Sequence, residues 1–210
     1  MKKTEETIAS HLLQIKAIKL QPANPFTWAS GWISPIYCDN RKTLSYPEVR
    51  DYIKNAFAEI IKEKFADADV IAGVATGAIA QGALVADILK KPFIYVRSSP
   101  KGHGLENLIE GDLKPGQKVV IIEDLISTGG SSLKAAEAVR NGGGDILGML
   151  AIFSYGFSVA EENFRKENVE LQTLSNYQTL LKVAVSNGNV TADHLETLDA
   201  WRKDPANWNK

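Results

Sequence analysis

Cysteine is nearly absent: Cys38 stands alone among 210 residues, so no intrachain disulfide can form and a reducing, cytoplasmic setting is expected. In the apolar stretch Ile36-Tyr37-Cys38 that thiol reads as a small semi-buried side chain rather than a nucleophile. An excess of either charge is also missing. The 24 Lys and Arg against 25 Asp and Glu leave a net charge of −1, which argues against a non-specific grip on nucleic acid or an anionic membrane. Affinity for a polyanion must then come from a local basic cluster.

No uninterrupted apolar run is long enough for a membrane span. The longest, Val70 to Leu89, holds Thr76, Gln81 and Asp87 and is broken by Gly73, Gly77 and Gly82, so it reads as strand, tight turn and helix. Met1-Lys2-Lys3 has the charge of a signal peptide, but Glu5, Glu6, His11, Gln14 and Lys16 interrupt any apolar core behind it. Of three histidines, His11 and His194 fall on predicted helices with no acid or thiol constellation around them, and zinc-type spacings are absent. Two phosphate-binding patterns are missing as well. No lysine stands where a P-loop needs one, and Gly73, Gly77 and Gly82 have the wrong spacing for a dinucleotide fingerprint.

What is present reads as one domain over residues 1–210, with room for a small accessory lobe. Ile8, Leu12, Ile15 and Ile18 recur at helical spacing and predict a first amphipathic helix. The segment from Pro22 to Asn40, rich in proline and aromatics, predicts short strands or a lobe beside a main sheet. Pro47 opens a second helix whose apolar face carries Val49, Ile53, Phe57, Ile60, Ile61 and Phe65. Apolar runs follow at 70–74, 93–96, 119–122, 146–153 and 169–174, several with helical stretches between them. Nearly continuous apolar runs suit strands buried on both faces, so the expected fold is α/β, a mostly parallel sheet flanked by helices. Two closing helices are expected, at about 177–185 and after Thr191 as N-cap.

The richest stretch is Val119 to Ser132, VVIIEDLISTGGSS, followed by a helical segment. A buried strand delivers Glu123 and Asp124 to its carboxyl end, where ligands of open α/β sheets bind. Gly129 and Gly130 let the backbone approach an anion, the free amides of a helix start can hold a phosphate, and Ser127, Thr128 and Ser131 add hydroxyls. The two acids would repel a phosphate. They suit ribose hydroxyls, or a magnesium ion shared with the ligand. Acids for a sugar beside amides for its phosphate describe a ribose-5-phosphate site. Further along, Arg97, Lys101 and His103 stand in VRSSPKGHGLEN, a glycine-bearing loop whose cations could close over a departing pyrophosphate.

The run from Val119 to Ser131 resembles the 5-phosphoribosyl-1-diphosphate signature of type I phosphoribosyltransferases, and that resemblance places Leu125 and Ile126 in the sugar-diphosphate site with their neighbours. Ala75-Thr76-Gly77-Ala78 is similar to the family's pyrophosphate loop. The resemblance narrows to the orotate phosphoribosyltransferase family through Phe26 to Gly31, Ser34 to Arg41, Arg97 to Gly104, Ile109-Glu110-Gly111 and Trp201-Arg202-Lys203-Asp204-Pro205. It implies the type I phosphoribosyltransferase fold with an N-terminal hood, at about 18–40, over the base. It also implies transfer of ribosyl-5-phosphate to orotate, giving orotidine 5′-monophosphate for UMP synthesis, and magnesium held mainly by the substrate rather than by side chains. Arg97, Lys101 and His103 are implied to bind the diphosphate, Lys101 and Asp124 to be catalytic, and Ser127 to contact orotate. A homodimer is implied too, since the family's loop reaches into the partner's site. Ala29, Ser98 and Tyr155 stand where other branches carry cations, which implies a base held more by backbone amides. Two further readings share the sugar-phosphate motif: transfer to another base, and a regulator that binds the activated sugar without catalysis.

Overall fold

Ile8 and Leu12, one helical turn apart, fix the buried face of α1 (Lys2–Gln14), and Lys16, at φ 56°, turns the chain out of it. The expected stripe ran on to Ile15 and Ile18. Both are buried, but beyond the helix, and Ile18 opens β1 (Ile18–Leu20). The computed structural model describes residues 2–99 and 108–208. The proline- and aromatic-rich segment forms β2 (Phe26–Thr27), β3 (Ile33–Ser34) and β4 (Ile36–Cys38). These make two small antiparallel pairs, β1 with β4 and β2 with β3, apart from the main sheet. A 3-10 helix (Asn40–Ser45) leads into α2 (Pro47–Lys64), where proline at the first turn gives up no hydrogen bond.

The alternation beyond α2 becomes β5 (Val70–Val74), α3 (Ile79–Leu89), β6 (Phe93–Val96), β7 (Ile109–Glu110), β8 (Lys118–Ile126) and α4 (Gly130–Asn141). It continues through β9 (Asp145–Ser154), α5 (Ser158–Lys166), β10 (Leu171–Asn176), α6 (Tyr177–Ser186) and α7 (His194–Lys203). Thr191 is not the cap of α7; Asp193 holds that position, while Thr191 Oγ1 lies 3.2 Å from His194 Nδ1. Six strands form one sheet in the order β10-β9-β8-β5-β6-β7, parallel except for the short β7. This is the expected mostly parallel α/β sheet. Every residue of β5 is buried, as a central strand covered on both faces requires.

Successive residues of β8 feed opposite layers. Val120 and Ile122 join a core with α1, α2, α3, α6 and α7, while Val119 and Ile121 join a second core under α4 and α5. That alternation decides where the two acids go.

Candidate active site

From β5 the chain moves outward to β6 and β7, then returns to the other flank of β5 as β8. The order reverses between β5 and β8, so a crevice opens beyond their carboxyl ends, the place where doubly wound sheets bind ligands. The turn after β5 brings Gly77 to this point. A Cβ built on Gly77 would overlap the Asp124 carboxylate, so only glycine lets the two segments sit this close.

The apolar run of the signature strand stops at Ile122, with Glu123 and Asp124 expected at the strand's carboxyl end. In the structure β8 continues to Ile126, because β9 stays paired with it as far as Ile126 opposite Ser154. Both acids are therefore strand residues. Glu123 takes the α4 side and is 5% exposed; its Oε1 accepts from the Asp124 amide at 2.9 Å and its Oε2 from Ser132 Oγ at 2.8 Å. Burial, and then the neighbouring Asp124 charge, push the Glu123 carboxyl from 4.5 up to about 8. Asp124 is half-buried on the hood side. Its backbone carbonyl accepts from Asn40 Nδ2 at 2.6 Å, and Asn40 Oδ1 lies 3.3 Å from Cys38 Sγ. The Cys38 thiol is pushed well up, by burial first and then by the charges of Asp124 and Asp39, so it is no ready nucleophile.

The phosphate-type turn is built as its composition requires. Gly129 sits at φ 83° as the N-cap of α4, and a Cβ there would come 2.8 Å from the Phe164 ring. Gly129 has no side chain to cap the helix start, so its first amides can meet an anion above exposed Gly130 and Ser131. Asn163 Nδ2 on α5 holds the Thr128 carbonyl at 3.2 Å. Ile126 is fully buried, so what it offers the turn is backbone; its carbonyl accepts from the Tyr155 amide at 3.1 Å.

Two cavities flank the turn. One of about 430 Å³ lies under the hood and is lined by Thr27, Trp28, Ala29, Tyr37, Cys38, Leu125, Ser127 and Tyr155. The other, about 480 Å³, brings Arg97 and Ser131 together with Val74, Ala75 and Lys134. Arg97 Nη1 lies 3.3 Å from Glu110 Oε1. Lys101 and His103 lie outside the described residues. A groove of about 540 Å³ opens behind Tyr155, beside α5 and α7, but none of residues 123–131 lines it. Asn40 and Ser132 lie in stretches marked from the sequence but carry no assigned role there, and Asn163 and Lys134 lie outside those stretches. Each is an ordinary polar residue until the fold places it against the signature segment.

A phosphoribosyl transferase domain matches residues 43–177. The chain is 62% identical to the orotate phosphoribosyltransferase of Porphyromonas gingivalis over 208 residues, 99% of either chain. It is similar to the crystal structure of orotate phosphoribosyltransferase from Aeropyrum pernix, with a TM-score of 0.76 at 29% identity, over 88% of this chain and 99% of that one. The Mycobacterium tuberculosis orotate phosphoribosyltransferase in complex with 5-phospho-alpha-D-ribosyl 1-diphosphate shares the fold, with a TM-score of 0.65 at 22% identity, over 84% of this chain and 98% of that one. A match at 62% identity that covers 99% of the chain takes in the hood, the acidic strand and the last helix, and so the chain belongs to the orotate phosphoribosyltransferase family.

Proposed function

We propose that the β5–β8 junction is where this orotate phosphoribosyltransferase works. The bond from C1 of 5-phosphoribosyl-1-diphosphate to the diphosphate oxygen breaks, and its electron pair leaves with diphosphate. A ring nitrogen of orotate, having given up its proton, supplies the pair for the new C1–N bond of orotidine 5′-monophosphate, the precursor of UMP. The observation that carries this reading is the Asp124 carboxylate packed on Gly77 at the switch point, between an uncapped helix start and the hood cavity.

Each part has a physical task. The amides of Ser127 to Ser131 and the hydroxyls of Thr128 and Ser131 hold the 5-phosphate, with Leu125 and Ile126 contributing backbone to the same cradle. Asp124 accepts from ribose hydroxyls and favours the cationic character that C1 gains as diphosphate leaves. Glu123, with both oxygens accepting from the protein, holds Asp124 and the start of α4 in place. The residues assigned to the diphosphate are Arg97, Lys101 and His103. Ser127, in the hood cavity, faces the base, and Trp28 and Tyr37 enclose it.

The carboxylate and hydroxyl oxygens of Asp124, Ser127 and Thr128 are hard donors that suit magnesium. The ion is assigned mainly to the diphosphate and ribose hydroxyls of the substrate; among the described residues no group of three or more His, Cys, Asp or Glu side chains is placed to hold a metal. When bound, that ion would offset negative charge on the leaving diphosphate. The working unit is proposed to be a cytoplasmic homodimer; among the described residues no helix is long and apolar enough to cross a membrane. Orotate consumption followed with the activated sugar, with and without magnesium, tests the reading. Turnover that needs both is expected, and turnover unaffected by chelation would remove the metal from it.

A further inference from the structure

The phosphoribosyl transferase match over 43–177 leaves the hood and α7 outside the shared domain. These two flanks meet behind the hood cavity. Trp28 and Tyr155 are its largest aromatic walls together with Tyr37, and Trp201 of α7 touches the first two from behind. Its ring centroid lies 5.7 Å from Trp28 at an interplanar angle of 78°, and 5.6 Å from Tyr155 at 80°. Phe157 and Tyr177 complete the ring of neighbours at 5.5 and 5.6 Å. Trp201 is 0% exposed and lines the cavity nowhere.

Two hydrogen bonds pin α7 around this residue. Tyr177 Oη donates to the Leu198 carbonyl at 3.0 Å, and Arg202 Nη1 donates to the Gly156 carbonyl at 2.8 Å, next to Tyr155. Among the described residues the Trp201 indole N–H has no hydrogen-bond partner. A buried donor left unpaired is costly, so a position serving stability alone would be better filled by an apolar side chain. Bulk and shape are what this indole supplies. They are supplied to a cavity whose lining, at Ala29 and Tyr155, carries no cation, so base binding there depends on the spacing of aromatic walls and on a few donors.

We infer that Trp201 is a positioning residue for the base: from behind, it sets the separation of Trp28 and Tyr155 and so the fit of a planar pyrimidine presented to Ser127. The inference rests on the base occupying the hood cavity, as proposed above. The sugar-phosphate turn is braced separately, by Ser132, Asn163 and Phe164. Loss of Trp201 should therefore act on the base and spare the sugar.

The test is steady-state kinetics of Trp201→Phe beside Ser127→Ala in the full-length protein. Trp201→Phe is expected to raise the KM for orotate about tenfold while kcat and the KM for the activated sugar stay within about twofold. Trp201→Tyr, closer in size, is held to the same split if the Phe variant does not fold. A rise in the orotate KM for Ser127→Ala but not for either Trp201 variant would overturn the positioning role and leave the cavity assignment standing. No change in any of them would place the base elsewhere and remove both. Equal rises in both substrates' KM values would mark Trp201 as a general packing residue and equally overturn the proposal.

Discussion

The Asp124 carboxylate packs directly against the Cα of Gly77, closing the gap between the carboxyl ends of the two strands that flank the switch point. The contact joins the turn after β5, similar to a pyrophosphate loop, to the acid assigned to ribose. Gly77→Ala should displace that carboxylate, and Asp124→Asn should remove its charge. Both are expected to lower kcat/KM for the activated sugar by at least about tenfold, since a charge-assisted hydrogen bond is worth about 1.5–3 kcal/mol. Initial rates at varied sugar concentration decide this, and unchanged kinetics in both variants would refute the assigned contact.

Glu123 makes stability depend on pH in an unusual direction. Its carboxyl titrates near 4.5 when free and near 8 in the fold, so between those values the folded protein keeps a proton that the unfolded chain has lost. The associated stability is fully present below about 4.5 and is lost as pH rises through about 8, a change on the order of a few kcal/mol. Glu123→Gln cannot ionise and should flatten this alkaline decline. Urea unfolding of both proteins from pH 5 to 9 gives the difference curve, and parallel curves would show that Glu123 is charged in the folded protein.

Lys101 is assigned to the departing diphosphate, so its effect should belong to the transition state. Lys101→Ala is expected to lower kcat more than it raises the KM for orotate. A change confined to the orotate KM would move this loop into base recognition.

Sequence patterning reached some of this architecture and missed the rest for physical reasons. The runs at 70–74 and 93–96 match β5 and β6 residue for residue, because β5, buried on both faces, and β6, buried on one and half-buried on the other, leave a continuous apolar trace. The acids expected at the carboxyl end of β8 are there, but the strand runs on to Ile126, because acids break the apolar trace while pairing with β9 carries the strand past them. Ile15 and Ile18 kept helical spacing past the helix end, since a left-handed turn at Lys16 also returns them to the core. At the site, the order of acids, hydroxyls and glycines was readable because it is local. The Asn40 bond to Asp124, 84 residues away, was not, nor was the meeting of Trp28 with Trp201, since periodicity carries no information about distant partners.

Orotate in direct competition with uracil, each offered with the activated sugar and magnesium and resolved by product chromatography, tests the central claim most directly. Uracil lacks the carboxylate, so it would leave donors at Ser127 and the nearby backbone unpaired, at about 1–3 kcal/mol each. Orotidine 5′-monophosphate should therefore dominate, with one diphosphate released per product. Equal use of the two bases, or a preference for uracil, would contradict the account.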